Sequence, residues 1–197
     1  IFRQKAIVLV TIFLVLSFVY IGLLFQTPEY EARVLMHIKG VQQTAAETYA
    51  SIGGFRVHFT QMSFVRSDPV LKPVVKALRL NKRPLDYEKK FSHPLKKKYI
   101  EFNLKKSRKK IKSLSIVERK KFLEWLAVEK LKANIQTTLR PNTDVFEIIV
   151  KDYNATDAIK IANVISRSFV VFDLKQQLAE SMKRYGALHP TIQQLRD

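Results

Sequence analysis

The chain has no cysteine in its 197 residues, which removes both a disulfide framework and a cysteine-based zinc site and leaves oxidising and reducing compartments equally suitable. Its five glycines include no G-x-x-x-x-G-K-[ST] run, so there is no loop from which backbone donors could wrap a nucleotide phosphate in that way. A G-x-S-x-G elbow is also missing. The four histidines, His37, His58, His93 and His189, show no H-E-x-x-H or comparable metal-binding spacing. His37 and His58 fall in expected strands, and His93 and His189 each precede a proline, so strand or turn roles are expected for all of them. Acidic residues are sparse, 17 against 35 Lys and Arg, and no pair is set apart as acid and base. Asp152 and Asp157 flank an expected helix start, where capping accounts for carboxylates. No catalytic residue, cofactor-binding residue or metal ligand is assigned, and the chain is not expected to be an enzyme.

What is present begins with Ala6 to Phe25, AIVLVTIFLVLSFVYIGLLF, an uncharged apolar run of 20 residues. As a helix it is long enough to cross the hydrocarbon core of a bilayer. It leads into Gln26, Thr27 and Pro28 without the small-residue pattern of a cleavage site, which favours a retained transmembrane helix over a signal peptide. Arg3 and Lys5 precede the run, while Arg33 and Lys39 follow it beside Glu29 and Glu31, so the expected orientation puts the N-terminus in the cytoplasm. Because the chain starts at Ile1 and stops in a polar stretch, the natural protein is expected to extend beyond both ends.

The net charge of +18 is uneven: Lys82 to Lys132 holds 18 Lys and Arg against 6 Asp and Glu. Two clusters stand out, Lys96, Lys97, Lys98 and Lys105, Lys106, Arg108, Lys109, Lys110, and these are the candidate polyanion-binding residues. Nucleic acid, anionic lipid and acidic polysaccharide share the required chemistry, against the plainer alternative of a solvated charged segment. Tyr87, Phe91, Tyr99 and Phe102 interleave with the cations and could stack on bases, but no nucleic-acid fold signature accompanies them, and nucleic acid is not the expected partner.

Periodicity gives the remaining elements. Tyr30, Ala32, Val34, Met36 and Ile38 alternate along a half-buried strand, and Gly53 and Gly54 mark a turn into a second extended segment, residues 55–62. Val70, Leu71, Val74, Val75 and Leu78 then recur at helical spacing, with Ser67 or Asp68 as N-cap, Pro69 in the first turn and Pro73 as a blemish. The basic segment shows weak periodicity. A capping box, Ser115 with Glu118, opens a helix expected to bury Leu123, Leu126, Ala127, Leu131 and Ile135, with Trp125 at its margin, until Pro141 to Thr143 break it. Asp144 to Lys151 reads as a strand buried on both faces. A long helix follows, with Ala158, Ile161, Ala162, Ile165, Phe169 and Phe172 as its stripe, running to Tyr185, about 45 Å at the standard rise, before Gly186; a new capping box is expected at Thr191 and Gln194.

Three separated pieces together resemble the polysaccharide co-polymerase, or chain-length determinant (Wzz-type), family. The first is the apolar helix followed at once by Tyr30, Glu31, Ala32, Arg33 and Val34. The second is QMSFVRSDPVLKPVVKALRL, residues 61–80, with Ser67, Val70 and Leu71. The third is VFEIIV followed by DYNATDAIKIANVISRSFV, where Asp157, Ala158, Ile161, Ala162 and Asn163 fit an acidic-Ala then I-A-N pattern. Tyr185, Gly186, His189 and Pro190 are similar to a G-x-x-H-P element of larger members.

The resemblance implies an α+β fold: an N-terminal transmembrane helix, a membrane-proximal periplasmic α/β domain and a long helical projection, in a bacterial inner-membrane protein with a second transmembrane helix not present in this sequence. The expected division is residues 1–28 for the membrane helix and its flanks, 29–153 for the α/β domain with the basic insert at 82–114, and 154–197 for the long helix and the start of another. Function by resemblance is a non-enzymatic, ring-forming scaffold that regulates surface polysaccharide chain length or assists polymerisation and export. Implied partners are further copies of the chain, a polysaccharide polymerase, an outer-membrane export channel, and an anionic polysaccharide or lipid-linked intermediate; no cofactor is implied, and a tyrosine-kinase extension beyond Asp197 stays open. The alternative is a membrane-anchored basic module that binds anionic lipid or other polyanions. Three departures stand against the family pattern: the missing second membrane helix, the basic insert, and the closeness of the H-P element to the I-A-N helix.

Overall fold

The computed structural model describes residues 2–37, 61–140, 143 and 145–185. Among the described residues it is a helix-rich α+β structure with one small sheet, and the chain divides into two units, Ile1–Glu29 with Arg83–Arg119, and Tyr30–Lys82 with Lys120–Asp197.

The second unit is organised by the sheet. Alternation along β1 (Tyr30–His37) buries Ala32 and half-buries Val34 and Met36 on one face. β1 pairs antiparallel with the last strand, from Tyr30 opposite Asp152 to His37 opposite Val145. Between them in sequence lies β2 (Ile135–Leu139), which pairs antiparallel with the other edge of β3 (Val145–Asp152), giving the order β1-β3-β2. The central strand buries Phe146, Ile148 and Val150 on its inner face. Its apolar run predicts burial on both faces; instead Val145, Glu147 and Lys151 are half-exposed and only Ile149 is buried on the outer side. A sheet covered on one face needs apolar side chains only there.

α1 (Phe2–Phe25) belongs to the first unit. α2 (Asp68–Ala77) belongs to the second and begins at Ser67, whose extended backbone and carbonyl start the helix, with Pro69 in the first turn. Pro73 removes one internal donor, a cost of about 3 kcal/mol. Val70, Leu71, Val74 and Val75 are wholly excluded from water, at about 1.5–3 kcal/mol each, so burial wins and the helix continues through the proline. Arg79 follows with φ 52°, a left-handed residue just beyond the helix end.

α3 (Pro94–Lys112) and α4 (Ile116–Ala133) are followed by the long α5 (Ala155–Tyr185). α5 packs on β1 and β3 and against α2, where the Ser168 hydroxyl donates to the Val70 carbonyl at 2.7 Å. Ala158 and Ala162 are buried where α5 meets the core, and Phe169 meets Phe146 edge-on with centroids 5.6 Å apart. At 31 residues α5 is about 46 Å long. Beyond Phe169 none of its described residues is fully buried.

Several expectations need correction. Gln61 and Met62, placed by pattern at the end of an extended segment, are helical. Ile135, expected on the helix that buries Leu131, opens β2 instead. That strand is made by pairing with β3, Ile135 opposite Val150, which local spacing does not report. The chain after Leu139 therefore joins two antiparallel strands rather than ending a helix, and Arg140 N–H bonds to the Val145 carbonyl at 3.0 Å. Trp125 is largely exposed against Phe122, and the buried position on α4 that the pattern omits is Val128. The cap of α5 is Asn154, whose Oδ1 accepts from Thr156 N–H at 3.0 Å; Asp152, buried, accepts from Asn154 N–H at 3.1 Å, and Asp157 sits in the first turn. Ile38, the turn at Gly53 and Gly54, residues 55–60 with His58, Pro141, Asn142, Asp144, and the segment with Gly186, His189, Pro190, Thr191 and Gln194 lie outside the described residues.

Candidate functional site

In the first unit the basic insert, weakly periodic in sequence, contains a 19-residue helix. Pro94 occupies its first turn with His93 extended ahead of it, the arrangement proline favours at a helix start. Ile100 and Ile111 are buried and Leu104 is half-buried, a sparse stripe among nine Lys and Arg and one Glu. Lys109 lies in the last turn, where the helix dipole favours positive charge.

Lys96 and Lys97 lie in the first turn, against the dipole, with Lys98 just beyond it, and Lys96 is compensated by a polar node. Lys96 Nζ lies 2.6 Å from Glu88 Oε1 and donates to Thr27 Oγ1 at 2.6 Å. Thr27 is 6% exposed and Ser92 5%; their hydroxyl oxygens are 3.1 Å apart, and Thr27 Oγ1 also lies 3.1 Å from Glu88 Oε1. Ser92 donates to the Glu88 carbonyl at 2.8 Å, so the single Thr27 hydrogen is left to be shared between the Glu88 carboxylate and Ser92. Thr27 stands two residues beyond the last residue of α1, and sequence reasoning misses it because its partners are 61, 65 and 69 positions away.

The remaining cations divide. Arg108 pairs with Asp86 at 3.0 Å, and Lys89 pairs with Glu101 at 2.9 Å. The Lys89 hydrogen bond holds the Glu101 carboxyl below its ordinary range, with Arg108 and Lys105 adding to the field. Lys97 is half-buried; Lys98, Lys105 and Lys109 are exposed and make no ion pair among the described residues. The side chains of Lys106 and Lys110 lie outside the described set. Among the aromatics, Tyr87 and Phe91 stack edge-on at 5.2 Å with Arg83 4.3 Å over Tyr87, whereas Tyr99 and Phe102 face solvent. Of the eight candidate cations, the described residues thus present three exposed, unpaired lysines rather than the full set.

α1, in the same unit, is apolar on every side from Ile7 to Phe25 and largely exposed over that stretch. Ile7–Phe25 is long and apolar enough to span a bilayer. Of its three hydroxyls, Thr11 turns to the Val8 carbonyl and Ser17 to the Phe13 carbonyl at 2.8 Å each, while Tyr20 is exposed.

In the second unit, Ala32, Val70, Leu71, Ala158 and Ala162 share one buried cluster. Tyr30 and Asn163 are exposed, Asp157 is half-buried, and Ser67 Oγ is buried without a partner. Two ion-pair links join α2 to α4: Lys132 to Asp68 at 2.7 Å and Lys76 to Glu124 at 3.4 Å. Asp68 is held below its ordinary range by Lys132 and then Lys72, and Lys132 is raised by Asp68 and then Glu129. No group of three His, Asp or Glu among the described residues could hold a metal ion.

Compared with family models, curated proteins and solved structures, the chain has no match in any of the three.

Proposed function

We propose that this chain is a membrane-anchored, non-enzymatic scaffold of the chain-length determinant type, which assembles as a ring of identical copies and sets the length of a surface polysaccharide or assists its export. One observation carries the reading. The three sequence pieces similar to that family, distant along the chain, supply Ala32 from β1, Val70 and Leu71 from α2, and Ala158 and Ala162 from α5 to a single core. Small residues at 158 and 162 let the helix approach closely, so the I-A-N pattern has a packing reason in this fold.

In this reading α1 crosses a bacterial inner membrane with its N-terminus in the cytoplasm, and the sheet-bearing unit works in the periplasm beside a polymerase and an export channel. Its growing polysaccharide or lipid-linked intermediate is the anionic partner. The test is the length distribution of surface polysaccharide in cells with and without the protein. A shifted or collapsed distribution is expected; an unchanged one overturns the proposal. A monomer in mild detergent would overturn the ring while leaving a polysaccharide role to be judged by the first measurement.

A further inference from the structure

We infer that the outer face of α3 is a docking surface for anionic phospholipid, in which Lys98, Lys105 and Lys109 meet lipid phosphates while Leu95, Tyr99 and Phe102 enter the interfacial layer of the bilayer that α1 crosses. The inference rests on the anchoring part of the proposal above and needs none of its polysaccharide role.

Residues 95, 98, 99, 102, 105 and 109 are separated by three or four, or adjoin one another, which puts them on one side of a helix. The opposite side carries Ile100 and Ile111, which are buried in the unit. The outer side is not the polar face that water would select. Leu95 is 50% exposed, Tyr99 58% and Phe102 72%, interleaved with the three unpaired lysines. A helix with large apolar side chains and lysines on one exposed face is suited to the headgroup boundary, where aliphatic stems lie along the apolar layer and ammonium groups reach the phosphates.

Position supports the same surface. Lys96, in the first turn of α3, is fastened by Glu88 and by Thr27, two residues past the end of α1. Thr27 is where an apolar helix that has crossed the hydrocarbon would leave it, so the start of α3 is tied at the level of the headgroups. A soluble polyanion would satisfy Lys98, Lys105 and Lys109 but leave Leu95, Tyr99 and Phe102 in water. An anionic bilayer satisfies both sets, and that is why lipid is preferred to glycan or nucleic acid as the occupant.

The experiment uses the whole chain reconstituted in vesicles. Trp125 is the only tryptophan, so Phe102→Trp in a Trp125→Phe background places a single reporter on the face. With brominated acyl chains, its emission should be blue-shifted and quenched in vesicles containing phosphatidylglycerol, and much less so in phosphatidylcholine alone. Replacing Lys98, Lys105 and Lys109 together by Gln should reduce the ratio of docked to undocked helix on the order of 100-fold, since each basic residue near an anionic surface contributes about a factor of five. Carbonate extraction of the same samples reports α1 separately. Retention in the bilayer with no quenching overturns the docking surface alone, and extraction by carbonate overturns the anchoring and this inference with it. If soluble alginate, and not anionic vesicles, shields the three lysines from acetylation, the face is a glycan site and the inference fails.

Discussion

The two units keep water out by different means. In the sheet-bearing unit Phe146, Ile148, Val150, Ile165 and the four aliphatic residues of α2 are excluded from solvent by one another. In the unit with α1 and α3, the buried positions among the described residues are Ile100, Ile111, Thr27 and Ser92, two of them polar. Burial of apolar area alone supports the first arrangement in water. The second has a long apolar helix and the row Leu95, Tyr99 and Phe102 still exposed, the kind of surface that the proposed bilayer would cover. A protein divided in this way closes an apolar core in one unit and leaves a long apolar surface uncovered in the other.

The largest effect is expected where the contrast is sharpest. Phe146→Ala removes a fully buried ring that meets Phe169, and should destabilise the sheet-bearing unit by about 3–5 kcal/mol. Chemical denaturation measures the loss, and hydrogen exchange should show it spread over β1, β3 and α5. Equal loss of protection in α3 would abolish the distinction between the units. Next in size is Thr27→Val, which deletes the hydroxyl that Lys96 donates to and should open the first turn of α3 by about 1–2 kcal/mol while leaving β3 protected. Hydrogen exchange in a bilayer mimetic reads both regions at once.

The same contrast explains what can be read from sequence. β1 and α2 announce themselves because alternation or helical spacing of apolar residues coincides with one-sided burial, as at Ala32, Val34 and Met36 or at Val70, Leu71, Val74 and Val75. β2 is hidden because Ile135 stands four residues after Leu131 and continues a helical rhythm, while its strand conformation comes from Val150 opposite it. α3 is hidden because its inner stripe, Ile100, Leu104 and Ile111, is diluted by lysines whose charge dominates any composition window. A local signal does exist for Asn154, which stands three residues before Asp157 in a capping pattern. The Thr27 node has none, since four side chains meet there only after the insert has folded back.

A smaller effect of opposite sign is expected at Arg79. Its φ of 52° is unfavourable for a residue with a Cβ, so Arg79→Gly should stabilise the sheet-bearing unit by about 1 kcal/mol, seen as a higher denaturation midpoint. Smaller still is the pH dependence of the α2 to α4 link. Asp68 is depressed in the fold, so its contribution is present above the ordinary carboxyl value of about 3.9 and is lost as pH falls through the lower folded value. Lys132 is raised, so its contribution is complete below about 10.4 and is lost as pH rises through the higher folded value. The stability difference between the native chain and Lys132→Ala should therefore be flat near neutrality and shrink toward both extremes. A difference that grows on acidification would assign the link to something other than this ion pair.

The smallest change is expected at Ser67, although position alone would predict more. A serine at a helix N-cap ordinarily contributes about 1 kcal/mol through its side-chain acceptor. Here the backbone of Ser67 has the cap conformation, but its hydroxyl makes no capping bond and is buried without a partner. Ser67→Ala removes a desolvated polar atom and loses no hydrogen bond, so the change should lie within about 0.5 kcal/mol of zero or stabilise slightly. Denaturation of the variant beside Arg79→Gly compares the two ends of α2 directly. A loss of about 1 kcal/mol or more would mean that the hydroxyl caps the helix in solution, and the core around α2 would then include a second polar contact beside that of Ser168 with the Val70 carbonyl.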